Sequence, residues 1–121
     1  MGANEARHVI DMLQDVGRVL GLELMVAAQA LEVRQRIFDG VFWPELTGES
    51  PLVIEKRAQV KALNLRPSTV SQALLEEVRE VIAYMEQDRA LAQDVERMSQ
   101  LVLDESERLI GVAERHVGRL Y

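Results

Sequence analysis

Val16-Gly17-Arg18-Val19-Leu20-Gly21-Leu22-Glu23-Leu24-Met25-Val26-Ala27-Ala28-Gln29-Ala30 is the stretch whose reading decides the fold. Its only charged side chains are Arg18 and Glu23, and its leucines, valines and methionine point to every side of a helix. A helix that is apolar all round is buried rather than amphipathic. The run is shorter than the ~20 residues that cross a bilayer and carries two charges, so a membrane span is set aside.

Upstream, Ala6, Val9, Ile10, Leu13, Val16 and Leu20 recur at steps of three and four, with Arg7, Asp11, Asp15 and Arg18 elsewhere. Asn4 fits an N-cap, and Glu5 falls in the first turn, where a carboxylate meets the positive end of the helix dipole. One long core helix is therefore expected over residues 1–37. Gly17 and Gly21 lie one turn apart, and Leu24 and Ala28 extend that face. Together they form a smooth strip on which another helix backbone can approach closely, a candidate interface. The plainer alternative is two tolerated glycines, each costing ~1 kcal/mol against alanine.

Outward from this helix the period vanishes over residues 38–51, where turn signals cluster: Asp39-Gly40, Pro44, Thr47-Gly48 and Ser50-Pro51. Phe38, Phe42 and Trp43 fall here, in a chain with only two phenylalanines, one tryptophan and two tyrosines. Phe42 and Trp43 are candidate interface anchors or, equally, a small core that pins the loop. Ser50 as N-cap and Pro51 at the first position open a short helix over 52–65. Thr69 and Gln72 have capping-box spacing and open a helix over 69–87 with the stripe Val70, Leu74, Val78, Ile82 and Met85. The last helix spans 91–120, its apolar stripe interrupted at Asp104-Glu105-Ser106-Glu107, which marks a bend, an exposed end or a surface facing another chain. The expected fold class is all-α, a long-helix bundle with a central, nearly all-round apolar helix and three further helices, in a single helical domain or fragment.

Composition agrees: 121 residues, 48% hydrophobic and 28% charged, describe one folded domain with a core of aliphatic side chains. A net charge of −6, with lysine only at 56 and 61, argues against binding nucleic acid phosphates or an anionic membrane. The absence of cysteine excludes a disulfide framework, a thiolate metal site and a thiol nucleophile, and fits a cytoplasmic location. The start Met1-Gly2-Ala3-Asn4-Glu5 lacks the basic and apolar regions of a signal peptide.

Chemistry is sparse. His8 and His116 have no second ligand at metal spacing and read as surface or helix-end histidines. The carboxylates of Glu76-Glu77 and Asp104-Glu105-Glu107 read as solvated helix faces, and no glycine-rich phosphate loop or activated serine occurs. Lys56, Arg57, Lys61 and Arg66 make the only local positive excess, which reads as an exposed helix face before it reads as a dock for an anionic surface. No catalytic, cofactor-binding or metal residue is expected.

Three segments carry a resemblance: Met1-Gly2-Ala3-Asn4-Glu5-Ala6-Arg7, Val19-Leu20-Gly21-Leu22-Glu23-Leu24 and Ala27-Ala28-Gln29-Ala30-Leu31-Glu32-Val33-Arg34. They resemble the C-terminal region of the histidine and aromatic amino acid ammonia-lyases. Leu74-Leu75-Glu76-Glu77-Val78-Arg79, Glu86-Gln87-Asp88-Arg89-Ala90-Leu91 and Asp94-Val95-Glu96 are similar to that family's next helices in the same order. The resemblance covers about two thirds of the chain. Phe38 to Asn64 has no clear counterpart in it, and the tail beyond Asp104 matches weakly.

What the resemblance implies is an all-helical tetramer with this long helix in its central bundle, and elimination of ammonia from histidine or an aromatic amino acid. The family's electrophile is a methylidene-imidazolone formed from an internal Ala-Ser-Gly, a tripeptide this chain lacks. The family's acidic active-site segment lies just before the position matching Met1. The expectation is thus the oligomer-forming C-terminal portion of an ammonia-lyase-like enzyme, inactive alone, in a homo-oligomer or a complex with a catalytic lyase polypeptide. The competing expectation is a free-standing helical self-association or interaction module derived from that family.

Overall fold

The computed structural model describes residues 1–38, 50–63 and 66–119. Among these residues five helices follow in order, α1 (Gly2–Phe38), α2 (Pro51–Ala62), α3 (Thr69–Val81), α4 (Ala92–Asp104) and α5 (Ser106–Val117). Among the described residues there is no strand, and the molecule is an all-α bundle. Four helices rather than three accompany the long one, because the stretch expected as one helix over 91–120 is divided at Glu105.

α1 begins three residues earlier than an Asn4 cap requires, since the Met1 carbonyl already accepts from the amides of Asn4 and Glu5 at 3.2 and 3.3 Å. Asn4 lies inside the helix, while Glu5 remains in its first turn. Ser50 caps α2 through both its carbonyl and its hydroxyl, which accept from the Val53 amide. For α3 the cap is Ser68, one residue before the expected Thr69, and its Oγ accepts from the Ser71 amide at 3.1 Å.

The stripe of α3 does not continue in helical form to Met85. The helix stops at Val81, and Ile82 turns extended at φ −132° and ψ 139°. The cause lies outside the local pattern. The Gln29 side chain donates to the Met85 carbonyl at 2.9 Å and accepts from the Met85 amide at 3.1 Å. Arg89 donates to the carbonyls of Ala83 and Tyr84 and pairs with the buried Asp94 at 2.9 Å. These contacts satisfy backbone groups that helix continuation would otherwise claim, as buried peptide groups require.

The break at Glu105 is a bend, one of the three readings of the acidic interruption. Arg108, just past it, bonds to Glu77 and Glu80 on α3 and to Glu105, drawing α5 across onto α3. The Glu77 and Glu105 carboxylates hold its guanidinium pKa above the ordinary arginine value. Gly118 closes α5 at φ 84°, a region glycine adopts freely.

The core joins Met25 and Ala28 of α1, Leu75 and Val78 of α3 with Ile82, and Met98 and Leu101 of α4. Met98 is fully buried. α1 and α4 run antiparallel: Gly17 lies by Leu103, and Gly21 by Met98 and Ser99.

Candidate functional site

With ~100° of turn per residue, α1 presents three faces. The first holds Gly17, Gly21, Met25 and Ala28, all buried. A Cβ built on Gly21 would stand 2.8 Å from the Ser99 amide nitrogen and 2.9 Å from the Met98 carbonyl carbon. On Gly17 it would meet the Leu103 side chain at 2.5 Å. The small-residue strip is thus a close helix contact, but its partner is the chain's own α4. As an interface between chains, Gly17, Gly21 and Ala28 are already occupied, because the last part of the chain folds back along them. Leu24, at the edge of this face, is half-buried against the core. Phe42 and Trp43 lie outside the described residues.

The second face, Leu22, Val26, Ala30 and Val33, forms one wall of an apolar groove of about 380 Å³. Ile82, Ala83, Met85 and Leu91 form the opposite wall. Its polar rim is tied into the fold. Gln29 grips Met85, Arg79 pairs with Glu32, and Arg36 stacks over the Tyr84 ring at 3.8 Å while reaching Glu86 at 3.6 Å. Sequence reasoning singled out none of Gln29, Glu32, Arg36 or Tyr84 individually. For Gln29, Glu32 and Arg36 the available signal was their departure from the apolar pattern in the C-terminal half of α1. Nη2 of Arg79 is buried there with no hydrogen-bond partner among the described residues.

The third face is a row that starts at Ala6, steps by three and four through Val9, Leu13, Val16 and Leu20, and ends at Leu31. It occupies a sector of roughly 80° in which no charged residue falls between Ala6 and Leu31. Val9, Leu13 and Val16 are each more than half exposed. Every residue from Met1 to Val16 is exposed, so this part of α1 projects beyond the bundle.

Among the described residues no three His, Cys, Asp or Glu side chains gather as a metal site. His8 is exposed, and the His116 ring bonds its own helix at the Val112 carbonyl. Among the described residues no helix is long and apolar enough to cross a membrane.

Three curated proteins match nearly the whole chain. The histidine ammonia-lyase of Natranaerobius thermophilus is 28% identical over 120 residues, 99% of this chain. That of Halalkalibacterium halodurans is 30% identical over 106 residues, 88% of the chain. The enzyme from Gloeobacter violaceus is 28% identical over 120 residues. The chain carries a region of the histidine/aromatic ammonia-lyase family. It spans only 15–18% of the length of those relatives. No family model and no solved structure matches it.

This ammonia-lyase region does not fit the family's methylidene-imidazolone. The group needs Ala-Ser-Gly, and none of the serines, at 50, 68, 71, 99 and 106, is flanked by alanine and glycine.

Proposed function

We propose that the chain is the C-terminal, oligomer-forming helical portion of an ammonia-lyase-like enzyme that eliminates ammonia from histidine or an aromatic amino acid. In this reading it packs with other copies or with a catalytic lyase polypeptide in the cytoplasm, and supports an active site built elsewhere. The observation that carries it is the match of nearly the whole chain to one region of three histidine ammonia-lyases. The bare apolar row on α1 adds physical support, because a projecting helix with a continuous apolar face lowers its free energy by burying that face.

The purified chain is expected to leave histidine, phenylalanine and tyrosine unchanged when formation of the conjugated acrylate is followed by ultraviolet absorbance. Turnover without another polypeptide would overturn the supporting role. The bare row also favours a second reading, a self-associating module that needs no lyase body. Pull-down with a lyase polypeptide lacking this region separates the two: recovery of ammonia-lyase activity in the mixture supports the first, and self-association without any such recovery supports the second.

A further inference from the structure

α4 runs along α1 towards its start, with Met98 and Ser99 by Gly21 and Leu103 by Gly17, and the chain then turns away at Glu105. The half of α1 that a straight course would reach, Met1 to Val16, is exposed. Among the described residues no Cα atom of α5 comes within 8 Å of one in α1. The turn is one residue long. Glu105 adopts φ −121° and ψ 23°, yet its amide donates to the Leu101 carbonyl at 3.1 Å and its carbonyl accepts from the Arg108 amide at 3.0 Å. Asp104-Glu105-Ser106-Glu107 holds no glycine or proline, so the local sequence permits a continuous helix.

A straight helix would extend the contact that α1 and α4 already make. Eleven residues bring a helix back into phase after about three turns. Shifting by that step along both antiparallel helices carries Gly21 with Met98 and Ser99 onto Ile10 with Leu109 and Ile110. The same step carries the ion pair of Arg18 with Glu96, at 3.8 Å, onto Arg7 with Glu107. Ser106, Leu109, Ile110, Ala113 and Val117 would share a sector of roughly 100° that continues the α1-facing side of α4 and holds no charge. On α1, Ala3, Ala6 and Ile10 continue the face of Gly17 and Gly21, and all three are exposed.

We propose that α5 has two seats, the observed one on α3 and a second on the bare half of α1, reached when α4 and α5 straighten into one helix, with Arg108 as the latch between them. In the observed seat Arg108 bonds Glu77 and Glu80 of α3, and Val112 is buried. Its bond to Glu105 spans one helical turn and is compatible with both seats. Straightening gives up the two bonds to α3 and the cover on Val112. In exchange it covers Ile10 and Val117, now 55% and 59% exposed. The latch is itself partly exposed, and ion pairs in that setting are weak enough to open and reclose.

The chain contains no cysteine, so spin labels report the bend directly. Gln93→Cys and Arg115→Cys place labels at exposed positions about 22 residues apart, which is ~33 Å in a straight helix and less across the bend. The doubly labelled full-length chain, diluted into excess unlabelled chain so that only distances within one chain are read, is expected to show a shorter main population and a minor one near ~33 Å. Arg108→Gln is expected to raise the minor population roughly two- to fivefold, the scale of an exposed ion-pair cluster. Glu77→Gln combined with Glu80→Gln opens the same latch from the α3 side and is expected to do the same. Adding Ile10→Glu, at an exposed position, is expected to suppress the straight population by placing a charge in the second seat. No population near ~33 Å in any of these latch variants would overturn the second seat. A straight population that the latch variants leave unchanged would overturn the role of Arg108, and one indifferent to Ile10→Glu would show straightening without seating on α1. The labels read a single chain, so none of these outcomes depends on the oligomer-forming reading.

Discussion

The face of α1 under α4 and the bare row beside it are both apolar, yet they differ in side-chain size. Under α4 lie Gly17, Gly21 and Ala28, which let the two backbones approach until only hydrogen fits at Gly21. The row carries valines and leucines, which hold a neighbouring helix at ordinary packing distance and interdigitate with it. Hydropathy alone marks both as buried surface. Size separates the face closed within the chain from the row left bare.

The largest effect should come from the closed side. Met98 is fully buried between α4 and its neighbours, so Met98→Ala removes packed atoms and leaves a cavity. Unfolding in denaturant is expected to show a loss of about 2–5 kcal/mol. A loss below ~1 kcal/mol would mean that the α1–α4 contact is not the stable heart of the bundle.

Next is the glycine contrast. Gly21→Ala pushes a methyl group into the α4 backbone, which cannot step aside without separating the helices, and about 1–3 kcal/mol of destabilisation is expected. Gly17→Ala meets only the Leu103 side chain, itself 41% exposed and free to turn away. There the ~1 kcal/mol gain in helix propensity offsets the crowding, so thermal unfolding should move little. Equal losses at both positions would break the distinction between backbone and side-chain contact.

Much of this was legible. The apolar run Val16 to Ala30 announces α1 because fifteen consecutive residues leave no polar face. Gly17 and Gly21 announce a close approach because nothing else in the run from Val16 to Ala30 is as small. What lies against them is not legible, since antiparallel pairing with residues 98 to 103 depends on how the intervening helices turn. The end of α3 is hidden for the same reason. Ile82 and Met85 keep the helical period, and the group that draws Met85 out of it is Gln29, 56 residues away. The acidic interruption near Glu105 was visible, and the choice among its three readings falls to Arg108 and its partners on α3.

Gln29 supplies the third prediction. Gln29→Leu fills similar space but strands the amide and carbonyl of Met85 at the rim of the groove. Leaving such groups unpaired costs ~1–3 kcal/mol when they are buried, and the partial exposure here places the expectation near the lower end. Hydrogen exchange should quicken at the Met85 amide before it quickens in α4. Unchanged exchange would show that the clamp does not hold the end of α3.

The smallest effect in dilute solution should come from the bare row. Leu20 is 44% exposed, and its side chain is not among those that close the core. Leu20→Ala should therefore cost less than ~1 kcal/mol when the chain is dilute enough to be single. The comparison sharpens as concentration rises. If the row is a seam between copies, association adds to the apparent stability by mass action, and the variant forfeits that gain. The gap in unfolding midpoint between the unmodified chain and Leu20→Ala should then widen with concentration, whereas the Met98→Ala gap, set within one chain, should widen far less. A Leu20→Ala gap that stays constant across the concentration series would place Leu20 outside any contact between copies.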